Sequence, residues 1–481
     1  MSATDAINRY ERQERIGGWD QSKLKNAKIA IVGAEHIGTF LASDFAALGV
    51  GDIRVYDNSR IDYRIRDIPY NQREFLMTRA KENASKAETL EKRIVMVNPL
   101  VNFIGMHISL DSVTECLVEI PDIAIIATND QKMAKCWGDF FTGKNVETYT
   151  AAGDVNGAFF QAYKSSFTSD IEGEQDGITS EVISGHLAGE IMQRIMYGKK
   201  IEALRYSPFG ERFLLNGNKI NPAPLDKKKA LVVGAGALGN FLGIGLVHAG
   251  VGEIYFVDDD IVEQTNLNRQ ILFYDAVGEY KADVLARRLS TINPSIKIEP
   301  IKKRVTEDFE SDIKKISPDV LIEGVDNLPT RAILNHFALE YRIPLISGGT
   351  DHEKGQVVVY VPEKSSCLNC KMGVDKALVE ARQSRSCINA PTSSVVVVNH
   401  TIGGHMAAEA RCTLDSENYG EPVRKTIKYD MTKPVRAGLI STDKPCTCRR
   451  GVSAKTWIGK IMKKAASPNQ NQKLNEEGKN K

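Results

Sequence analysis

Two stretches of this chain repeat one order of apolar and polar positions. AIVGAEHIGTFLASDFAALGVGDIRVYDN, from Ala30, aligns without a gap on LVVGAGALGNFLGIGLVHAGVGEIYFVDD, from Leu231. Each begins with an apolar run too short for a helix and passes a glycine turn. Apolar residues then recur at helical spacing, and a second apolar run ends at Asp57 or Asp258. That pattern predicts strand, turn, helix and strand, a βαβ unit of the kind that opens a dinucleotide-binding fold. The match continues further on. SKAETLEKRIVMVNP pairs with YKADVLARRLSTINP, PDIAIIATND with PDVLIEGVDN, and SGHLAGEIM with GGHMAAEAR. An internal repeat of this length predicts an α/β chain of two tandem domains, residues 1–203 and 204–448. Residues 449–481 read as a basic, disordered tail, within which GVSAKTWIGKIMKKAA has the spacing of a short amphipathic helix.

Composition narrows the function. The 481 residues are 42% hydrophobic and 26% charged, enough to bury a core, and the net charge of +2 gives no field for nucleic acid or an anionic membrane. MSATDAINRYERQERIGG is not a secretory signal, and no run approaches the ~18 apolar residues of a membrane span. The expected location is the cytoplasm. There the eight cysteines stay reduced, as metal ligands, nucleophiles or buried thiols.

The second copy carries Gly234-x-Gly236-x-x-Gly239, a turn that lets backbone approach a phosphate at a helix N-terminus. Asp258 suits a ribose hydroxyl pair. An NAD-dependent oxidoreductase would match this far. Asp260, Asn266, Arg269, Gln270, Lys281 and Asp326 then fall near strand ends or in loops. A redox cofactor does not need that cluster, whereas a triphosphate needs cations, amides and a carboxylate for magnesium. The first copy has Glu35 for the middle glycine, Ser59 for Asp260, Glu74 for Arg269 and Asn129 for Asp326, although Asp57 and Lys86 survive. It reads as a pseudo-site with a pairing role.

GxGxLG, DxDxVxxxNLNRQ, GxxKA and a VDN after a strand resemble the ThiF/MoeB/ubiquitin-activating enzyme superfamily over nearly the whole chain. The resemblance implies two Rossmann-like, ThiF-type domains forming a pseudo-dimer within one chain. It implies ATP-dependent adenylation of the C-terminal glycine of a ubiquitin-like or sulfur-carrier protein. In that reading Asp258 binds ribose, Asn266, Arg269 and Lys281 hold phosphates, and Asp326 binds magnesium. Arg12 lies two residues after Tyr10, where the family's arginine reaches the partner's ATP; the second copy has Pro208 there. The asymmetry resembles the inactive and active adenylation halves of ubiquitin-like protein activating enzymes.

Cys367-x-x-Cys370 and Cys446-x-Cys448 suit a closed, structural zinc site, with CxC in place of the family's second CxxC. Cys387, in SRSCINAPTSSVVVVNHTIGG, matches the place where several family members carry a thioester, and Arg382 and Arg385 would favour its thiolate. Cys116, Cys136 and Cys412 read as core. Gly348-Gly349 reads either as room for a carrier tail or as a tight turn. The alternative to a thioester-forming enzyme is a sulfur-carrier adenylyltransferase without one. A non-catalytic scaffold is the remaining class, and the intact second site argues against it. A conjugating enzyme is a further candidate partner.

Overall fold

The computed structural model describes residues 9–61, 73–78, 81–108, 119–166, 169, 171, 173–208, 223, 225–376, 393–433, 437–440, 448 and 456. Two sheets organise them. The first is seven-stranded, in the order β3-β2-β1-β4-β5-β6-β7. Its strands are β1 Lys28–Val32, β2 Asp52–Asp57, β3 Asn102–His107, β4 Ile123–Ile126, β5 Glu147–Asp154, β6 Gly157–Ala162 and β7 Leu204–Tyr206. The second is eight-stranded, in the order β10-β9-β8-β11-β12-β13-β14-β15. It comprises β8 Lys229–Val233, β9 Glu253–Val257, β10 Lys297–Ile301, β11 Val320–Glu323, β12 Leu345–Thr350, β13 Lys354–Tyr360, β14 Thr426–Asp430 and β15 Ala437–Ile440.

In each sheet the first five strands are parallel and the later ones antiparallel. The parallel strands carry continuous apolar runs, as KIAIV and KALVV do, because helices cover both faces. The repeat read from the sequence is thus a repeat of sheet order and register. Leu204–Tyr206 hydrogen-bonds within the first sheet, so that sheet runs past residue 203.

One apolar core runs through both halves. The helices after the glycine turns, His36–Leu48 and Ala237–His248, are buried nearly all round and so lie inside this core. The long helices Gly177–Tyr197 and Val396–Leu414 cross close together. A Cβ on Gly185 would lie 2.7 Å from the Thr401 backbone nitrogen.

Buried polar links cross the same contact. Arg411 donates to Asp176 at 3.1 Å, His400 meets Asp44 at 2.6 Å, and His186 meets His405 at 2.9 Å. The histidines flanking Gly403-Gly404 therefore bind the halves together, in line with a structural role for that pair. Gly348 and Gly349 are not a tight turn: both lie inside β12. Gly348 is small because a Cβ there would meet the Met406 sulfur at 2.1 Å. No helix among the described residues is long and apolar enough to cross a membrane.

Candidate active site

The second sheet's order reverses between β8 and β11, where an open α/β sheet leaves a crevice beyond its strand ends. The glycine turn fills one side of that crevice. Gly234 has φ +101°, and a Cβ there would lie 3.1 Å from the Gly324 carbonyl oxygen on the neighbouring strand. Gly239 packs its helix on the turn, since a Cβ would come within 2.4 Å of the Gly234 oxygen. Gly236 is different. Its nearest neighbour would be Gln270 Nε2 at 3.8 Å, so the missing side chain leaves open space in front of the helix N-terminus.

Asp258 closes β9 and braces the turn. Its carboxylate accepts the Ala235 N–H at 2.7 Å and the Asp260 N–H at 2.8 Å. Burial raises its pKa, opposed by the nearby Lys281 ammonium. Asp57 accepts the Ala34 N–H at 2.7 Å in the same way. This bracing explains why that aspartate survives in a copy that has lost the counterparts of Gly236, Asp260, Arg269 and Asp326.

Lys281 opens the helix Lys281–Ile292 and reaches Asp260 Oδ2 at 2.7 Å. Asn266 is buried and caps the short turn Gln264–Asn266, accepting the Glu263 N–H at 3.0 Å. Arg269 donates to the Thr265 carbonyl at 2.7 Å and to Asn268 Oδ1 at 2.9 Å. Burial lowers its pKa to about 10, and the positive charge of Arg12 pushes in the same direction. Asn268 Nδ2 donates to Gln13 Oε1 at 3.2 Å, so the residues beside Arg269 and Arg12 in sequence meet across the halves. The Arg12 carbonyl accepts the Ser394 N–H at 3.1 Å, which fixes its short helix against the second half. Gln270 is buried, and its Oε1 has no hydrogen-bond partner among the described residues. Asp326 is exposed, just past β11 on the other side of the crevice.

The first copy's turn differs at its middle position. Glu35 stands at the N-cap of its helix where Gly236 leaves space. Burial lifts its pKa to about 7; Lys86 opposes the shift, and Glu74, Asp57 and Glu174 add to it. Lys86 is taken by Glu74 at 2.6 Å. Asn129 donates to the Gly153 and Gly173 carbonyls at 2.9 Å, bracing loops where the other copy presents an exposed aspartate.

Sequence reasoning missed an ion pair beneath the candidate site, Arg331 to Glu323 at 2.9 Å, both buried. Glu323 ends the otherwise apolar strand VLIE, and that was the available signal. Away from the nucleotide turn, Cys370 and Cys448 sulfurs lie 3.2 Å apart and Cys367 and Cys448 3.6 Å apart. Three thiols so close fit a metal whose sulfur bonds are ~2.3 Å long. Cys446 and Cys387 lie outside the described residues, as does Cys116. Cys412 is buried and Cys136 half-buried.

The ThiF family profile matches residues 9–139 and 219–448. The chain belongs to the ThiF family. A SAMP-activating enzyme E1 from Haloferax volcanii is 35% identical over 184 residues, covering 38% of this ThiF-family chain and 65% of that protein. Molybdopterin-synthase adenylyltransferase from Salmonella typhimurium is 31% identical over 233 residues, 48% of this chain and 88% of that one. A sulfur carrier protein adenylyltransferase from Thermus thermophilus is 38% identical over 138 residues, 28% of this chain and 50% of that one. This chain thus spans less than two thirds of the Haloferax and Thermus proteins. The solved structure of E. coli MccB with ATP is 25% identical over 48% of this chain and 67% of that one, with a TM-score of 0.39.

Proposed function

We propose that this ThiF-family chain transfers AMP from ATP to the C-terminal glycine carboxylate of a ubiquitin-like or sulfur-carrier protein. One observation carries the reading: Gln270, next to Arg269, is the side chain nearest the open Gly236 position, and Asn268 on the other side donates to Gln13 of the first half at 3.2 Å, so the segments carrying Arg269 and Arg12 converge at the glycine turn. A buried guanidinium at Arg269, with the Arg12 charge acting on it, suits a polyphosphate. The relatives, adenylyltransferases and an activating enzyme, support the same chemistry.

A terminal carboxylate is ionised at neutral pH, so no general base is required. Its oxygen attacks the α-phosphorus, an acyl-phosphate bond forms, and pyrophosphate leaves with the electrons of the broken P–O bond. The turn from Gly234 to Gly239 cradles phosphate, and Asp258 meets the ribose. Arg12, Asn266, Arg269, Gln270 and Lys281 hold the phosphates, with Asp260 orienting Lys281. Magnesium at Asp326 would supply further neutralisation of the leaving pyrophosphate. The first half completes the site through Arg12 and is otherwise a scaffold.

Two finer assignments belong to the same reading. Cys387 would attack the acyl-adenylate, releasing AMP and leaving the carrier as a thioester. Cys367, Cys370 and Cys448, with Cys446, would hold a structural zinc. The second reading is a sulfur-carrier adenylyltransferase with no essential thioester, favoured by the name of the Thermus relative. A non-reducing gel separates the two, using ATP, magnesium and a small ubiquitin-like protein ending in Gly-Gly. A thiol-sensitive adduct lost in Cys387→Ala supports the thioester. Carrier-AMP without an adduct supports the second reading.

A further inference from the structure

Beneath the candidate site's loops lies a charged pair that the other copy replaces with apolar residues. Arg331 Nη1 donates to Glu323 Oε1 at 2.9 Å and to Ser347 Oγ at 2.7 Å. Its Nη2 donates to the Val325 carbonyl at 2.6 Å and the Gly348 carbonyl at 2.8 Å. Glu323 in turn accepts the Val325 N–H at 3.2 Å and is hydrogen-bonded by Ser347. The guanidinium therefore ties β12 to the residue immediately before Asp326.

The first copy shows what the fold itself requires. The gapless match of PDIAIIATND to PDVLIEGVDN puts Ile126 at Glu323, and continuing it puts Ala134 at Arg331. Strand register agrees, with Ile126 opposite Thr150 as Glu323 is opposite Ser347. Where Arg331 would reach, the first copy has a cavity of about 370 Å³, lined among others by Ala134, Thr150 and Ala152. The two sheets nonetheless have the same parallel order through this region. The fold thus forms without the ion pair, and an apolar pair that filled the same volume would cost little stability relative to a buried salt bridge. Burial raises the Glu323 pKa, opposed first by Arg331, so the pair stands against a desolvation cost that the other copy avoids.

We infer that the Arg331–Glu323 pair is a positioning device for the adenylation site, clamping the loop that presents Asp326 onto the Gly348 end of β12. The guanidinium is taken up by Glu323, Ser347 and the Val325 and Gly348 carbonyls, so it acts through the loop. The inference rests on the proposed function for its purpose, but the clamp itself can be tested separately.

The decisive variant is Glu323→Ile with Arg331→Ala, which copies the first half and leaves no unpaired buried charge. Four measurements apply to the full chain: thermal unfolding, amide hydrogen exchange, pyrophosphate exchange with a Gly-Gly carrier, and calorimetric AMP binding. We expect a Tm within roughly a few degrees of wild type, the relieved desolvation offsetting the space that Arg331→Ala leaves, faster exchange at residues 324–326, and AMP binding as in wild type, because the glycine turn is untouched. The kcat should fall by roughly 10²-fold, the scale of a small misplacement of a reacting group. Wild-type amide exchange at 324–326, or wild-type kcat, overturns the inference. So does a collapse in Tm, which would assign the pair to the fold. If the wild-type chain itself shows no pyrophosphate exchange, the functional reading fails, while Tm and amide exchange still decide the clamp.

Discussion

Arg12 of the first half sets its positive charge beside Arg269 of the second, adding to the burial that already lowers the Arg269 pKa to about 10. Like charges are brought together across a domain contact only where something else holds them. Here the Ser394 N–H fixes the Arg12 carbonyl, and Thr265 and Asn268 fix the Arg269 guanidinium. Arg12→Ala should therefore lower ATP–pyrophosphate exchange by about 10²-fold, although it lies outside the half that carries the glycine turn. Steady-state kinetics check this, and wild-type values would remove Arg12 from the site.

The pseudo-site makes a pH prediction. The Glu35 pKa is raised to about 7 by burial, against 4.5 in an unfolded chain. Between those values the folded state binds more protons than the unfolded one. Its contribution to stability is complete below about pH 4.5 and is lost as pH rises through 7. Glu35→Gln should raise Tm relative to wild type at pH 8, with the difference closing by pH 4.5. A constant difference across that window would show that Glu35 does not titrate there.

Much of this was readable from the residues, for stated reasons. The glycine turn, Asp258 and Lys281 follow from local chemistry, and the internal repeat supplied a control for each. Asp57 survives because it braces its turn, a duty visible only once Ala34 N–H is seen to donate to it. The pairing of Asp44 with His400 joins residues 356 apart, and no periodicity encodes such a contact. Glu323 in an apolar strand was a legible anomaly, but its partner Arg331 faces inward from a helix whose amphipathic face is not obvious from spacing.

The contact between halves should be costly to break. Asp176 and Arg411 are both 2% exposed, and their pair links the start of one long helix to the end of the other. Asp176→Ala leaves the Arg411 charge buried without its partner, which should destabilise the chain by about 3–5 kcal/mol. Urea unfolding measures it. A loss below about 1 kcal/mol would mean that water or another group replaces Asp176.

The cysteine cluster predicts bound metal. Elemental analysis of the purified chain should find about one zinc per chain, and a chelator should lower Tm. Cys370→Ser should lower the zinc content. A metal-free protein with unchanged Tm would leave Cys367, Cys370 and Cys448 as close free thiols.

The most direct test of the central claim is ATP–pyrophosphate exchange, measured for wild type and Arg269→Ala with a carrier protein ending in Gly-Gly. The proposed adenylation predicts carrier-dependent exchange in wild type and a loss of about 10²–10³-fold in the variant. Equal exchange in both proteins would contradict the assignment of this site.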